Sequence, residues 1–265
     1  MLSISQLPHP VRETVNERGL SPHDALQAFL QFLVIKHHSF EPARFIGGTA
    51  LVLGHGNPRF SEDIDFTAVT DPLKLKPGLQ RAVTEIEQWL GVRVTLTDPK
   101  PGKATFRIQC HYDRATTVSL HIDSQSYVSQ THKPIVAKYA TLAPVICSSV
   151  TVWEIMADKL LAVAFRNYLA GRDVFDLWYH WLRLDSCEKD CELVVPLFKQ
   201  KCKQRHIKLE HWRERLQSQV NYQKQEKRMT QEWQRFLPQE FQKLMIQQDM
   251  WQAFIRLTDL LREHI

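Results

Sequence analysis

Residues 22–37 place apolar side chains at helical spacing behind Ser21, with Pro22 at the first helical position and Asp24 in the first turn, which predicts a helix. The short apolar run "RFIGG" predicts a buried strand ending at a tight turn. "TALVLGH" then reads as a short helix, and "GNPR" as a turn. "DIDFTAV" alternates with a period of two and reads as a second strand. Residues 72–90 form a helix stopped by glycine, and "VRVTLT", "FRIQCHY" and "VSLHID" are three further strands. Residues 40–125 therefore run strand, helix, strand, helix, strand, strand, strand, which is a mixed sheet with helices packed on it.

The pattern changes at Thr151. "TVWEIMADKLLAVAFR" carries Thr151 and Glu154 at capping-box spacing and is helical, with Trp153, Met156, Leu160, Val163 and Ala164 as one buried stripe. Beyond it the chain stays helix-like, interrupted at Pro196 and Pro238. The expected fold class is α+β. Residues 1–148 hold the mixed sheet and an N-terminal helix, and residues 149–265 form an all-helical region.

Composition narrows the class. The 43% apolar and 24% charged fractions are those of an ordinary globular protein. Five cysteines, at 110, 147, 187, 191 and 202, form no CxxC pair, which argues against a disulfide framework or a structural zinc site and for a reducing cytoplasm. The start lacks a signal-peptide pattern, and the best apolar run, "LQAFLQFLVI", is too short for a bilayer. The net charge of +5 is unevenly spread, because Lys199–Arg235 holds 11 Lys or Arg against 4 Asp or Glu. That stretch, with Trp212, Tyr222 and Trp233 interleaved, reads either as an RNA surface or as a solvated helical face whose aromatics pack between helices.

The candidate chemistry lies in "FIGGTALVLGHGNPRFSEDIDF". The strand period sets Asp63 and Asp65 on one face, with Ile64 and Phe66 turned into the core. Adjacent carboxylates repel unless a cation lies between them, and carboxylates together with phosphate oxygens suit Mg²⁺. Gly47 and Gly48 end a strand where a helix begins, so the backbone can approach a ligand and offer its N–H groups, and Thr49 adds a hydroxyl. Arg59 and Ser61 lie in the intervening turn. Arg59 suits either a phosphate or a neighbouring acid, Asp63 or Glu62.

With the glycines, arginine, serine and both aspartates in place, "GGTALVLGHGNPRFSEDIDF" resembles the signature of the nucleotidyltransferase superfamily, specifically the AbiEii/AbiGii toxins. The later "ADKLLAVAFR" and "GRDVFDLW" are similar to that family's C-terminal motifs. The resemblance covers roughly residues 25–182. It implies a catalytic metal, Mg²⁺ or Mn²⁺, on Asp63 and Asp65, and a nucleoside triphosphate held by Gly47, Gly48 and Thr49. It also gives Lys159 the nucleotide phosphates and Asp173 the role of acidic partner. Asp176 is either a second participant or the mate of Arg172 four residues earlier. Such enzymes usually carry a third carboxylate on a later strand, where "VSLHID" offers Ser119, His121 and Asp123 on one face. The best-matching position holds His121, which leaves open whether Asp123 substitutes, His121 takes part, or two carboxylates suffice.

The implied activity is metal-dependent transfer of a nucleotide to an acceptor. In some relatives that acceptor is the 3′ end of tRNA, and the toxins belong to type IV toxin–antitoxin systems, which implies an antitoxin partner. Two other readings stand beside it: a non-catalytic module of the same fold that binds RNA or a partner, and a DxD glycosyltransferase, against which the glycine turn argues.

Overall fold

The computed structural model describes residues 3–38, 43–67, 69, 71–100, 104–112, 117–124, 131–182, 187–219, 222–247, 254–256, 259 and 261. The chain divides into two compact units, Met1–Val150 and Thr151–Ile265.

The first unit contains α1 (His9–Arg18), α2 (Pro22–His37), β1 (Arg44–Ile46), α3 (Gly47–His55), β2 (Ile64–Thr67), α4 (Lys76–Leu90), β3 (Arg93–Thr97), β4 (Thr105–His111), β5 (Thr117–Ser124), β6 (His132–Ala137) and β7 (Val145–Val150). The strands form one sheet in the order β3-β4-β5-β2-β1-β7-β6. The pairs β1–β7 and β2–β5 are parallel, and the others antiparallel. The mixed sheet and the element order over its first five strands are as the alternation predicts.

β6 and β7 carry no comparable sequence signal. β6 is an edge strand with Pro134 inside it and most of its residues exposed, which is where a sheet tolerates proline. β7 runs through Val150 and lies beside β1, so the sheet continues slightly beyond residue 148.

The core of this unit lies between the sheet and α2. Ser21 caps α2 by accepting from the Asp24 N–H, and the helix buries an unbroken run from Ala25 to Ile35. It packs on α1, α4, β5 and β7. Alternate residues of β4 and β5, Phe106, Ile108, Cys110, Val118, Leu120 and Ile122, are fully buried, and the residues between them are not. One face of these strands therefore joins the core and the other is polar.

The second unit contains α5 (Val152–Phe165), α6 (Gly171–Leu177), α7 (Cys187–Gln204), α8 (Leu209–Gln219), α9 (Tyr222–Phe236) and α10 (Gln239–Gln247). α5 packs against α6, α7 and α8, and this replaces the single apolar stripe by burial on several sides, with Ile155, Ala157 and Leu161 enclosed as well. The expected capping box is not formed. The Thr151 side chain makes no cap hydrogen bond, and Glu154 is fully buried with its carboxylate 3.0 Å from Lys201 Nζ. A buried ammonium attracts the carboxylate more strongly than an exposed helix end does. Lys201 also meets Asp158 at 2.9 Å, and Arg205 meets Asp158 at 2.8 Å, so this pair of helices shares an internal ion network.

The same packing revises the picture of the basic stretch. Trp212 is buried and donates its indole N–H to the Leu160 carbonyl at 2.8 Å, and Trp233 donates to the Gly171 carbonyl at 2.9 Å. Arg228 lies over the Tyr168 ring, 3.1 Å from its centre, and pairs with Glu232. The two tryptophans of this region and Lys201 are thus internal ties. The side chain of Tyr222 lies outside the described residues.

Candidate active site

The glycine turn and the acid strand meet through tight local packing. Gly47 has φ +82°, in the left-handed region that side chains disfavour, and a Cβ there would collide with the Asp65 carboxylate. A Cβ on Gly48 would collide with the Arg59 guanidinium and come within 2.8 Å of Ser61 Oγ. Both glycines are therefore demanded by closeness: α3 starts against Asp65 on one side and against the 59–61 turn on the other. Gly47→Ala is expected to displace the Asp65 carboxylate and strain the backbone by about 1–2 kcal/mol, with a folded protein and loss of the nucleotide transfer that the sequence resemblance implies. Far-UV circular dichroism beside a transfer assay checks this, and full activity in the variant would refute it.

Arg59 is almost wholly buried and donates from Nη1 to the Phe60 carbonyl at 2.7 Å. Its backbone N–H takes the side-chain oxygen of Asn57 at 3.1 Å. It therefore sits as a prop beneath Gly48. Thr49 is likewise fully buried, with its hydroxyl donated to the Asp63 carbonyl. That bond ties α3 to the start of β2. Ser61 is buried beside Gly48.

Two side chains that sequence reasoning passed over hold this turn from behind. Gln31 of α2 donates to the Ser61 carbonyl at 2.8 Å, and Gln27 donates to the Glu62 carbonyl at 2.7 Å and to Ser119 O at 3.3 Å. Their signal was available, since two glutamines four residues apart interrupt an otherwise apolar helix. Buried amides of this kind persist only when they satisfy backbone groups.

Asp63 and Asp65 flank Ile64, which is fully buried, as the strand period requires. The parallel pairing of β2 with β5 sets Asp65 directly beside Asp123, and Ile64 beside Ile122. Asp123 accepts the Thr105 hydroxyl. One step back, His121 Nδ1 lies 3.8 Å from Asp63 Oδ1, with both side chains nearly half exposed. Asp123 thus stands at the register of Asp65, and His121 faces Asp63.

Among the described residues, no three acids, histidines or cysteines are grouped closely enough to hold a metal ion as they stand. The donor chemistry nevertheless fits one. Three carboxylates on neighbouring strands, in contact with solvent, present hard oxygen ligands with positions left for water and phosphate.

In the second unit, Lys159 Nζ lies 2.6 Å from Asp173 Oδ1 and 2.8 Å from Asp176 Oδ2, and both carboxylates are fully buried. Arg166 Nε approaches the other oxygen of Asp173 at 2.7 Å. Burial alone would raise the Asp173 carboxyl, but Lys159 and Arg166 together hold it below the usual carboxylate range. The motif residues of α5 and α6 therefore form one cluster, in which Asp176 pairs with Lys159, and the Arg172 guanidinium lies over Phe236, 5.6 Å from the ring centre. Gly171, at the start of α6, is clasped by α9. A Cβ there would meet Trp233 Nε1 at 2.9 Å, and its N–H donates to Glu232 at 2.7 Å. Arg166 escaped the sequence reading, because nothing local marks it as the second cation on Asp173.

A mixed sheet thus carries a glycine-initiated helix set against Asp65, with Asp123 on the neighbouring strand. The chain belongs to the AbiEii family, since the model for the nucleotidyl transferase AbiEii toxin of type IV toxin–antitoxin systems matches residues 31–257. Among solved structures it is similar to the nucleotidyltransferase toxin MenT4 from Mycobacterium tuberculosis, at 17% identity and a TM-score of 0.53, over 75% of this chain and 69% of that one. JHP933 from Helicobacter pylori matches at 23% identity and a TM-score of 0.42, over 79% of this chain and 96% of that one. A putative nucleotidyltransferase from H. pylori matches at 22% identity and a TM-score of 0.42, over 78% and 98%. No curated protein matches the chain. No helix among the described residues is long and apolar enough to cross a membrane.

Proposed function

We propose that this protein is a metal-dependent nucleotidyltransferase that moves a nucleotide from a nucleoside triphosphate to an RNA acceptor, the 3′ end of a tRNA being the acceptor to test first. The observation that supports this best is the side-by-side placement of Asp65 and Asp123, with the helix start at Gly47 kept free of side chain against Asp65. An ordinary strand face has no reason to gather carboxylates there, since their mutual repulsion opposes folding.

Asp63, Asp65 and Asp123 would hold Mg²⁺ or Mn²⁺. Such an ion, when bound, neutralises charge developing on the transferred phosphoryl group. The backbone N–H groups at Gly47 and Gly48 receive phosphate oxygens, and the partial positive charge of the α3 N-terminus favours the polyanion. Gln27, Gln31 and Arg59 keep the turn rigid, so these donors need no reorganisation as the reaction proceeds. With Asp123 on the ion, His121 beside Asp63 would take the proton of an acceptor hydroxyl; with the ion on Asp63 and Asp65 alone, Asp123 would. In the helical unit, considered by itself, the family resemblance makes Lys159 a phosphate-binding cation, and Asp173 and Asp176 hold its ammonium. A cognate antitoxin and a cytoplasmic setting belong to the same proposal.

The test is direct. The purified protein is incubated with each α-³²P-labelled nucleoside triphosphate, Mg²⁺ or Mn²⁺, and total RNA, and the products are resolved on a gel. Label on a small RNA supports the reading and identifies the base. Label on protein changes the acceptor. Measurable nucleotide binding without transfer would replace the enzyme by a binding module of the same fold.

A further inference from the structure

Beyond His121 and Asp123, the polar face of β3, β4 and β5 has no role in the chemistry above, and it is continuous with the acids. Register places Thr97, Arg107 and His121 in one row that ends at Asp63. The next row is Thr95, Gln109 and Ser119, and the one beyond it pairs Arg93 with His111. Arg93 and Arg107 are exposed. Neighbouring side chains on this face support one another. Thr95 Oγ1 lies 3.0 Å from His111 Nε2, and Gln109 donates to Ser119 Oγ at 3.4 Å.

Two properties of this face select its occupant. Its side chains on the three strands are cations and neutral hydrogen-bonding groups, and Asp123, at the end where the metal would sit, is the acid among them. It presents no apolar side chain along these rows, which disfavours a protein or lipid partner. Cations and hydroxyl or amide donors are what phosphate and 2′-hydroxyl groups require. The face spans three strand spacings from β2 to β3, roughly 14 Å, enough to follow a backbone away from the acids. The alternative cationic region is less suitable, because Trp212 and Trp233 of the C-terminal stretch are buried, Lys201 is buried against Glu154, and the exposed Arg205 and Arg228 already pair with Asp158 and Glu232.

We propose that the exposed face of β3, β4 and β5, with Arg93 and Arg107 as its phosphate contacts, is the platform on which the acceptor RNA strand lies. The proposal rests on the transferase reading for the word acceptor, but the binding itself is measured separately. The probe is a 5′-fluorescent single-stranded oligoribonucleotide of about 12 nucleotides, titrated with the full chain by anisotropy at several salt concentrations. Arg93→Glu/Arg107→Glu is expected to weaken binding about tenfold or more and to reduce the salt slope by about 1.4, from two lost phosphate contacts. Arg93→Lys/Arg107→Lys is expected to keep most of the affinity. Both pairs lie on the surface, and thermal melting verifies folding; Arg93→Gln/Arg107→Gln replaces the Glu pair if that variant melts early.

Affinity of the Glu variant within about twofold of the parent would overturn the proposal, as would equally tight, equally Arg-dependent binding of a protein acceptor in place of RNA. RNA binding that depends on these arginines, in a protein that transfers no nucleotide, would leave the platform standing and remove the transferase reading. Transfer to RNA that is indifferent to the arginines would do the reverse.

Discussion

Replacing Asp65 by alanine is expected to lower nucleotide transfer by about 10²–10⁴-fold, the range for a positioned catalytic group, with the protein still folded. The fold survives because the neighbours of Asp65, Ile64 and Phe66, supply the core side of β2, and both are buried. Asp65 is only partly buried and stands beside another carboxylate, Asp123. Removing one of two adjacent acids relieves repulsion, so the melting temperature is expected to hold or to rise slightly. Asp65→Asn sharpens the test, since it keeps the shape and removes the charge. Asp123→Asn is expected to fall in the same direction. Transfer assays with labelled triphosphate, beside thermal melts, read both quantities. An Asp65→Asn protein with near-parental transfer would remove the carboxylates from the chemistry. A variant that loses transfer only because it melts early would show that Asp65 supports the fold.

What the sequence made legible here was local. Gly47, Gly48, Asp63 and Asp65 lie within twenty residues of one another, and the strand period alone orients the acids. Pairings between distant segments were not legible. Whether Asp123 or His121 stands beside Asp65 depends on the register of β2 against β5, and a slip of one residue would turn every side chain of β5 to the other face. The same holds for Glu154. Its spacing to Thr151 spells a cap, yet the partner it finds is Lys201, a residue far along the chain. Arg59 was ambiguous because a turn arginine reads the same whether it faces a ligand or the interior. Only the absence of a Cβ on Gly48 lets it lie inward. β6 stayed hidden for another reason, since an edge strand with proline and exposed lysine has neither alternation nor apolar run to announce it. In the basic stretch, net charge counts cations without showing which are already paired, as Lys201 is with Glu154 and Asp158.

Lys159→Met is expected to destabilise the protein by about 3–5 kcal/mol at pH 8, because it leaves two buried carboxylates with one cation between them. Asp173 and Asp176 have no exposure, and Arg166 reaches Asp173. The pH dependence separates this from a simple packing loss. In the parent, Asp173 is held below its ordinary value of 3.8, where burial would raise it but Lys159 and Arg166 prevail. Its contribution is therefore complete above about that pH and is lost as pH falls through the lower folded value. In the variant the main opposing cation is gone, burial prevails, and a carboxyl of the cluster takes up a proton on folding. Folding then binds protons, so the stability deficit should shrink as pH is lowered from 8 toward 5. Burial also pushes His38 and His55 down to about 4, and each costs stability as pH falls from 6.5. Those two histidines lie in the first unit and titrate alike in both proteins, so they cancel in the difference. Denaturant unfolding of parent and variant at pH 8, 6.5 and 5 measures it. Adding Asp176→Asn to Lys159→Met should recover part of the loss at pH 8, since one buried charge is then removed. A deficit that is constant across this range would mean that Lys159 contributes packing and not charge. A variant as stable as its parent at pH 8 but inactive would mean that the ammonium serves the nucleotide phosphates without holding the helices together.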